Sequence, residues 1–527
     1  MVTRSDAPPA SLSNTTLDPD VEAPAQGDAP VTLLTILAHP DARRVGEAAA
    51  LDALDRGRFV ALSRAELRFG PRGATGGASL ADPFLSRRVV SFSRVDGRVV
   101  VVVEPGGSAL AINGTPVTRG TFELPEAALD EGAVIELGGR VALLLHRSSR
   151  WSRAPEARHG LVGENDAIER VRGEISRVAD LGVPVLVRGE TGTGKELVAQ
   201  AIHASSPRAS GPCVSVNMAT VPETVAAAEL FGHARGAFTG AVRDAPGYFA
   251  RAHGGTLFLD EIGDAPAVVQ PMLLRALETG EVQPVGAAAS RKVDVRVVAA
   301  TDADLEGAVR GGRFGAALLH RLAGFEVSLP PLRARRDDIG RLFVHFLRAE
   351  LDALGEGAKL DASPAAAKPF VPAALVASLA RYAWPGNVRQ LRNVVRQLVI
   401  GSRGEAQLRL GPSVERLLAA PAATAPAPPE VHPARRKPSE IDDAALVAAL
   451  RANSWRREPT ARALGVAVST LYLLIDRCPL LRKAHELSRD ELTRCRDACG
   501  GDLDKMSAAL EVSTRALTLR MRELGMV

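Results

Sequence analysis

The sequence predicts a multidomain chain: an N-terminal all-β sandwich, a central α/β domain with a helical lid, and an all-α C-terminal tail. Three observations predict it. Short β-prone runs flank the turn signal Asp96-Gly97. Further on, an apolar strand runs into a glycine-rich loop that opens a helix. Near the C-terminus Ala463-Leu464-Gly465-Val466 aligns with Ala509-Leu510-Glu511-Val512, and Leu471 and Leu473 align with Leu517 and Leu519.

The 527 residues suffice for three or four domains. Hydrophobic content of 46% with only 4% aromatics means that the cores are built from aliphatic side chains. Net charge is +4, and residues 431–527 hold 17 Lys/Arg against 13 Asp/Glu, so the whole excess lies in the tail. That is a mild electrostatic pointer to nucleic acid. Cys213, Cys478, Cys495 and Cys499 have no matching Cys/His pairs beside them, so reduced packing residues are expected rather than a zinc site. No apolar run reaches membrane-spanning length and no signal-peptide core is present, which points to a cytoplasmic protein.

Residues 1–30 are rich in Pro, Ala, Asp, Ser and Thr without periodicity, as in a disordered tail. Within 31–147, the runs Arg88–Phe92, Arg98–Val103, Val134–Leu137 and Val141–Leu145 give the sandwich. Residues 161–402 alternate apolar strands (Val185–Val187, Thr256–Leu259, Val295–Ala299) with helical stretches, the pattern of a mostly parallel sheet. The α/β part is placed at 161–325 and the lid at 326–402. An Ala/Pro-rich linker is expected over 403–438 and the helical repeats over 439–527.

The loop Gly189-Glu190-Thr191-Gly192-Thr193-Gly194-Lys195 carries the first chemistry. Its glycines let backbone N–H groups turn inward around phosphates, and the helix N-terminus adds positive partial charge. Lys195 would reach the β- and γ-phosphates of ATP. The generic motif continues with a hydroxyl residue that ligates magnesium; Glu196 stands there instead. A second strand ends in Asp260-Glu261, placing Asp260 to hold Mg2+ and Glu261 to polarise the attacking water.

At these residues the chain resembles the sigma-54-interacting branch of the AAA+ ATPases, over roughly 161–402. The hexapeptide Gly236-Ala237-Phe238-Thr239-Gly240-Ala241 looks like that family's signature loop, which touches the sigma factor of RNA polymerase. The resemblance implies further roles. Asn217 would couple the catalytic Glu to nucleotide state. Arg389, in Trp384-Pro-Gly-Asn-Val-Arg389, would sense the nucleotide, and Pro330-Pro331-Leu332-Arg333 would join sheet to lid. Arg321 aligns with an arginine finger that reaches a neighbouring subunit's γ-phosphate, which implies a ring, usually a hexamer. Two positions depart from the family. Gly315 follows Phe314 where an Arg is usual, and Asp302 replaces the Asn of the sensor strand. These departures keep open a second reading, a DNA-binding repressor or nucleotide-gated switch with a weakened ATPase.

Each tail repeat ends in a pattern resembling the Fis-type helix-turn-helix. In the first, Ser469 would cap a recognition helix carrying Thr470, Tyr472 and Arg477. In the second, Ser513 would cap one carrying Arg515, Thr518, Arg520 and Arg522. Glu511 stands where the turn glycine is expected. The implied partner is enhancer DNA.

The sandwich resembles a forkhead-associated domain, which binds phosphothreonine peptides. Gly70 to Arg72, Ser86-Arg87 and Asn113-Gly114 carry the match. In that family an Arg and the Ser hold phosphate while the Asn holds the peptide backbone. Pro71 interrupts the Gly-Arg pair, and Val89 replaces a His.

Overall fold

The computed structural model describes residues 30–419 and 441–526, apart from short stretches at 73–75, 88–89, 105, 118–119, 149–157, 239–240, 362–367, 454, 456, 465, 467, 479–486, 501, 513 and 525. Residues 1–29 of the expected tail, 420–438 of the expected linker and 439–440 at the start of the expected repeats therefore lie outside it. The chain divides into two compact units, Met1–Ala422 and Ala423–Val527.

The first unit opens with ten strands in two antiparallel sheets. They are β1 (Val31–Ala38), β2 (Ala48–Ala50), β3 (Val60–Leu62), β4 (Val90–Val95), β5 (Arg98–Val103), β6 (Leu110–Ile112), β7 (Thr115–Val117), β8 (Gly120–Pro125), β9 (Ala133–Leu137) and β10 (Val141–Ser148). One sheet runs β2-β1-β10-β9-β6-β7 and the other β3-β4-β5-β8. Two short helices, α1 (Asp52–Asp55) and α2 (Ala127–Glu131), pack against them. The Asp96-Gly97 signal is the β4–β5 turn. Both residues have positive φ (47° and 70°), the two-residue turn whose twist matches the strands. Leu34, Ile36, Phe92, Val101, Ile135 and Leu143 fill the space between the sheets.

The strands of the central domain form a five-stranded parallel sheet. In chain order the elements are α3 (Asp166–Val178), β11 (Val185–Arg188), α4 (Lys195–Ala204), β12 (Cys213–Asn217), α5 (Glu223–Phe231), α6 (Tyr248–Arg251), β13 (Thr256–Asp260), α7 (Gln270–Thr279), the small pair β14 (Glu281–Val282) and β15 (Arg291–Lys292), β16 (Arg296–Thr301), α8 (Leu305–Arg310), α9 (Ala316–Leu322) and β17 (Phe325–Ser328). Sheet order is β12-β13-β16-β11-β17. Val185, Leu186 and Val187 are fully buried in succession, because both faces of a parallel sheet are covered. The sensor strand starts at Arg296, not Val295.

The lid holds α10 (Ile339–Ala353), α11 (Ala373–Arg381), α12 (Asn387–Gly401) and α13 (Pro412–Ala419). The last helix corrects the linker boundary: Leu408 and Val414 are buried in the lid core, so the chain stays folded through residue 419. That core also takes in Leu37, Ala38, Val134, Ala142 and Leu144 from the sandwich.

The second unit has six helices: α14 (Asp443–Ala452), α15 (Arg457–Leu464), α16 (Val468–Arg477), α17 (Arg489–Ala498), α18 (Leu503–Leu510) and α19 (Thr514–Glu523). Each sequence repeat is a three-helix cluster with its own core, one around Leu446, Leu450 and Leu471 and one around Leu492, Met506 and Leu517. Among the described residues no helix is long and apolar enough to cross a membrane, and no cysteine forms a disulfide.

Candidate nucleotide site

The parallel order brings four strand ends to one edge of the sheet, the edge where open α/β sheets bind ligands. The phosphate loop leaves β11, Asp302 follows β16, Asp260 ends β13 and Asn217 ends β12. Gly194, at φ 111°, caps α4 in a conformation that a side chain would strain. Lys195 is the first residue of that helix and only 7% exposed. Its ammonium donates to the Gly189 carbonyl at 3.0 Å and pairs with Glu261 at 3.3 Å. The Thr193 hydroxyl donates to the Glu190 carbonyl at 2.7 Å, closing the loop on itself. Glu196 is exposed, and its carboxylate accepts from Gln200 one turn along the helix at 3.3 Å.

Three carboxylates face this cradle. Glu261 sits at φ 50°, ψ 50°, a left-handed backbone that is strained for Glu. Burial pushes its carboxyl above the usual range; Lys195 pulls it back, and Asp302 and Asp260 push further upward. The Asp302 amide donates to Glu261 at 3.4 Å, and the Asp302 carboxylate accepts from the Thr191 hydroxyl. The extra carboxylate at the sensor position is thus bonded into the phosphate loop. Asn217 donates from its amide to Asp260 at 3.4 Å, so in this state it is tied to Asp260 and not to Glu261. Oxygen donors of this kind suit magnesium. Among the described residues no group of three metal-ligating side chains occurs, so Asp260 would hold the ion together with the nucleotide's own phosphates.

The lid closes over the loop. The Arg389 amide donates to the Gly192 carbonyl at 3.3 Å, while its side chain is exposed. Asn387 is fully buried and supplies what sequence reasoning missed. Its amide donates to Glu190 at 3.0 Å and to the Thr191 carbonyl at 3.1 Å, and its oxygen accepts from the Leu332 amide at 2.8 Å. Asn387 has φ 49°, a conformation Asn tolerates better than most residues, and its place in the lid motif before Arg389 was the available signal. Arg333 adds a two-pronged pair with Glu190, at 2.8 and 2.5 Å, which holds the Glu190 carboxyl below its usual range. Arg321 lies elsewhere: on α9, its guanidinium donates to the Leu277 carbonyl at the end of α7, at 3.0 and 3.2 Å.

Residues 161–328 match the model of the sigma-54 interaction domain, and 333–410 that of an AAA+ ATPase lid domain. The nitric oxide reductase transcription regulator NorR1 of Cupriavidus necator is 37% identical over 408 residues, 70% of this chain and 77% of its own length. This chain belongs to the sigma-54-interacting transcription regulators. The DNA-binding transcriptional regulator NtrC of Escherichia coli is 49% identical over 248 residues. That match covers 47% of this chain and 51% of NtrC, so the chain spans about half the length of that relative. The crystal structure of NtrX from Brucella abortus in complex with ATP is 31% identical, with 69% of each chain covered and a TM-score of 0.43.

The described residues of the hexapeptide are bonded across its ends. The Gly236 amide donates to the Ala241 carbonyl at 2.8 Å, and the Ala241 amide to the Phe238 carbonyl at 3.0 Å. Phe238 is 44% exposed, its ring edge-on to His233 at 5.0 Å. Thr239 and Gly240 lie outside the described residues. The loop base is fixed by paired bonds from His233 to Ala245, and by bonds linking Gly232 and Ala234 to Val285.

In the tail, Ser469, Thr470, Tyr472 and Arg477 all fall on α16, and Arg515, Thr518, Arg520 and Arg522 on α19. Arg477 and Arg522 are exposed. Arg520 is engaged within the unit, donating to the Leu487 carbonyl at 3.3 Å and pairing with Glu523 at 3.1 Å. Ser513 lies outside the described residues, as do the side chains of Ser469, Tyr472 and Arg515. Glu511 adopts φ 54°, so the turn keeps the left-handed backbone for which glycine was expected.

The sandwich requires one correction. Ser86 donates its amide to Ser108 at 2.7 Å and Arg87 is exposed. Arg72 is turned instead to the ATPase domain and is only 5% exposed. It pairs with Asp166 at 3.2 Å and Asp337 at 3.6 Å, and bonds to Ser148 and the Glu164 carbonyl. Covered by these groups, it is not an open phosphate ligand in this state. Asn113 uses its side-chain oxygen internally, accepting from the Val134 amide at 2.9 Å.

Proposed function

We propose that this protein hydrolyses ATP in a homo-oligomeric, hexameric ring and uses the cycle to remodel sigma-54 RNA polymerase from enhancer DNA. The observation that supports this most is the meeting of Lys195, Glu261, Asp260 and the lid loop on one sheet edge, in a domain that also carries the fastened Phe238 loop. Lys195 and the loop amides hold the β- and γ-phosphates. Glu261, once ionised, takes a proton from the attacking water, and its raised pKa suits it to that exchange. Magnesium held by Asp260 would neutralise phosphate charge. Arg321 of one subunit would complete the site of the next, where a cation stabilises the transferring phosphoryl.

The finer assignments complete the reading. The helix-turn-helix likeness of the tail, with Arg477 and Arg522 exposed, supports DNA contact through phosphates and base edges. The forkhead-associated likeness supports control by a phosphothreonine protein. Ser86 and Arg87 would meet the ligand, and Arg72 would join them only in a sandwich released from the ATPase domain. Ser86→Ala should weaken binding of a phosphothreonine peptide; a full-length protein that never binds such peptides refutes this part.

The test of the main reading is ATP hydrolysis by the full chain at rising protein concentration. Turnover per subunit that climbs with assembly supports the ring ATPase. ATP binding without turnover at any concentration favours the nucleotide-gated DNA switch instead, the reading for which Asp302 and Gly315 speak.

A further inference from the structure

The sandwich does not hang from the ATPase domain as a tethered sensor. The sheet formed by β1, β9 and β10 divides its side chains between two cores. Leu34, Ile36, Ile135, Leu143 and Leu145 point into the sandwich. The alternate residues Leu37, Val134, Ala142 and Leu144 share the core of the lid with Ile339, Phe343, Val376 and Ala380. Contact is at backbone distance: a Cβ added to Gly340 on α10 would stand 2.4 Å from the Leu37 carbonyl oxygen. Polar pairs ring this patch. Arg341 reaches the Gly46 carbonyl at 2.6 Å and Glu164 at 2.5 Å, and Arg381 pairs with Glu136 at 2.9 Å.

Arg72 goes further, because it grips both halves of the ATPase domain. Asp166 begins α3 of the α/β part, whereas Asp337 precedes α10 of the lid. One guanidinium thus joins the two, beside the direct bonds from the Glu164 and Asn165 amides to Asp338 at 2.6 and 3.2 Å and from the Asn165 side chain to Asp337 at 2.8 Å. From the docked face, α10 and α11 pack in one core with α12, and the first residue of α12 is Asn387, which holds the phosphate loop.

We propose that the sandwich is a brace that holds the lid shut over the phosphate loop, through the apolar face at Leu37 and the two-sided grip of Arg72, and so slows nucleotide exchange. This rests on the site binding adenine nucleotide. A lid can open only by shearing the shared core or tearing Arg72 from one carboxylate, and a guanidinium only 5% exposed is costly to deprive of an anionic partner. Coupling is reciprocal, so nucleotide that favours lid closure also favours sandwich docking.

The experiment measures release of a fluorescent ADP analogue from the full chain, chased with excess ATP. Arg72→Ala should speed release about tenfold. Glu136→Arg and Arg381→Glu should each speed it about fivefold. The double variant, which restores the pair with charges exchanged, should return to within about twofold of wild type. Release rates that stay unchanged in all variants overturn the brace, as does a double variant no better than its parents, which signals general damage. Should wild type bind no ADP analogue, the nucleotide reading itself fails. Amide exchange then judges the brace. Faster exchange at Gly192 and along 387–391 in Arg72→Ala, reversed in the charge-exchanged pair, is expected, and unchanged exchange overturns it.

Discussion

Arg333 and Glu190 face each other as a two-pronged ion pair that ties the start of the lid to the phosphate loop. The pair is more than a third exposed on each side, so its own worth is under about 1 kcal/mol. Asn387 lies beneath it, fully buried, with three hydrogen bonds. Arg333→Ala should therefore lower stability only slightly. Asn387→Ala, which strands the Leu332 amide and vacates the bonds to the loop, should cost about 2–4 kcal/mol. Denaturant unfolding of the two variants checks this contrast.

Glu261 supplies a pH dependence. Its carboxyl is raised by burial and by Asp302 and Asp260, against the pull of Lys195. A base must be ionised to act, so ATP turnover should fall as pH drops through that raised pKa. Asp302→Asn removes one of the upward influences and keeps an acceptor for Thr191. The acid limb should then move to lower pH. A pH–rate profile of both proteins decides it; a limb that moves upward would contradict the assignment.

Gly315 occupies the place where the family carries an arginine, yet nothing in its surroundings demands glycine. Its φ is −78°, and an added Cβ would make ordinary contacts at 3.6 Å to Gln270 and 3.9 Å to Leu318. Gly315→Arg should change stability by less than about 0.5 kcal/mol. With Arg321 acting between subunits, the added cation should raise turnover several-fold in the assembled protein and leave dilute protein unchanged. Thermal melts and concentration-dependent ATPase assays check both.

Glu511 keeps the turn of the second repeat at φ 54°. A left-handed backbone costs a residue with a Cβ about 1 kcal/mol. The exposed pair it makes with Arg451 offsets little of this. Glu511→Gly should therefore raise the melting temperature of the tail while DNA affinity holds.

How much of this was legible depended on whether the signal was local. The phosphate loop, the Asp260-Glu261 strand end and the Asp96-Gly97 hairpin are short motifs whose geometry follows from adjacent residues. The Asn387–Glu190 bond joins residues far apart in sequence, and neither carries a mark of the other. Docking of the sandwich did leave a trace. Val31–Ala38 and Val141–Ser148 are near-continuous apolar runs, buried almost throughout, whereas Arg98–Val103 is buried only at alternate positions. Unbroken runs mark strands covered on both faces. The engagement of Arg72 was hidden for a related reason. A guanidinium suits carboxylates and phosphate equally, and only the fold shows that Asp166 and Asp337 stand beside it. The lid boundary was missed because Pro412 opens α13, and proline at a helix start resembles the proline of the linker that follows.

The most direct measurement is ATP-dependent open-complex formation at a sigma-54 promoter by the purified full chain, beside Phe238→Ala and Thr239→Ala. Wild type should melt the promoter, and both variants should hydrolyse ATP near the wild-type rate without melting it. Promoter melting that survives both substitutions, or a wild type that hydrolyses ATP and opens no promoter, would contradict the central claim.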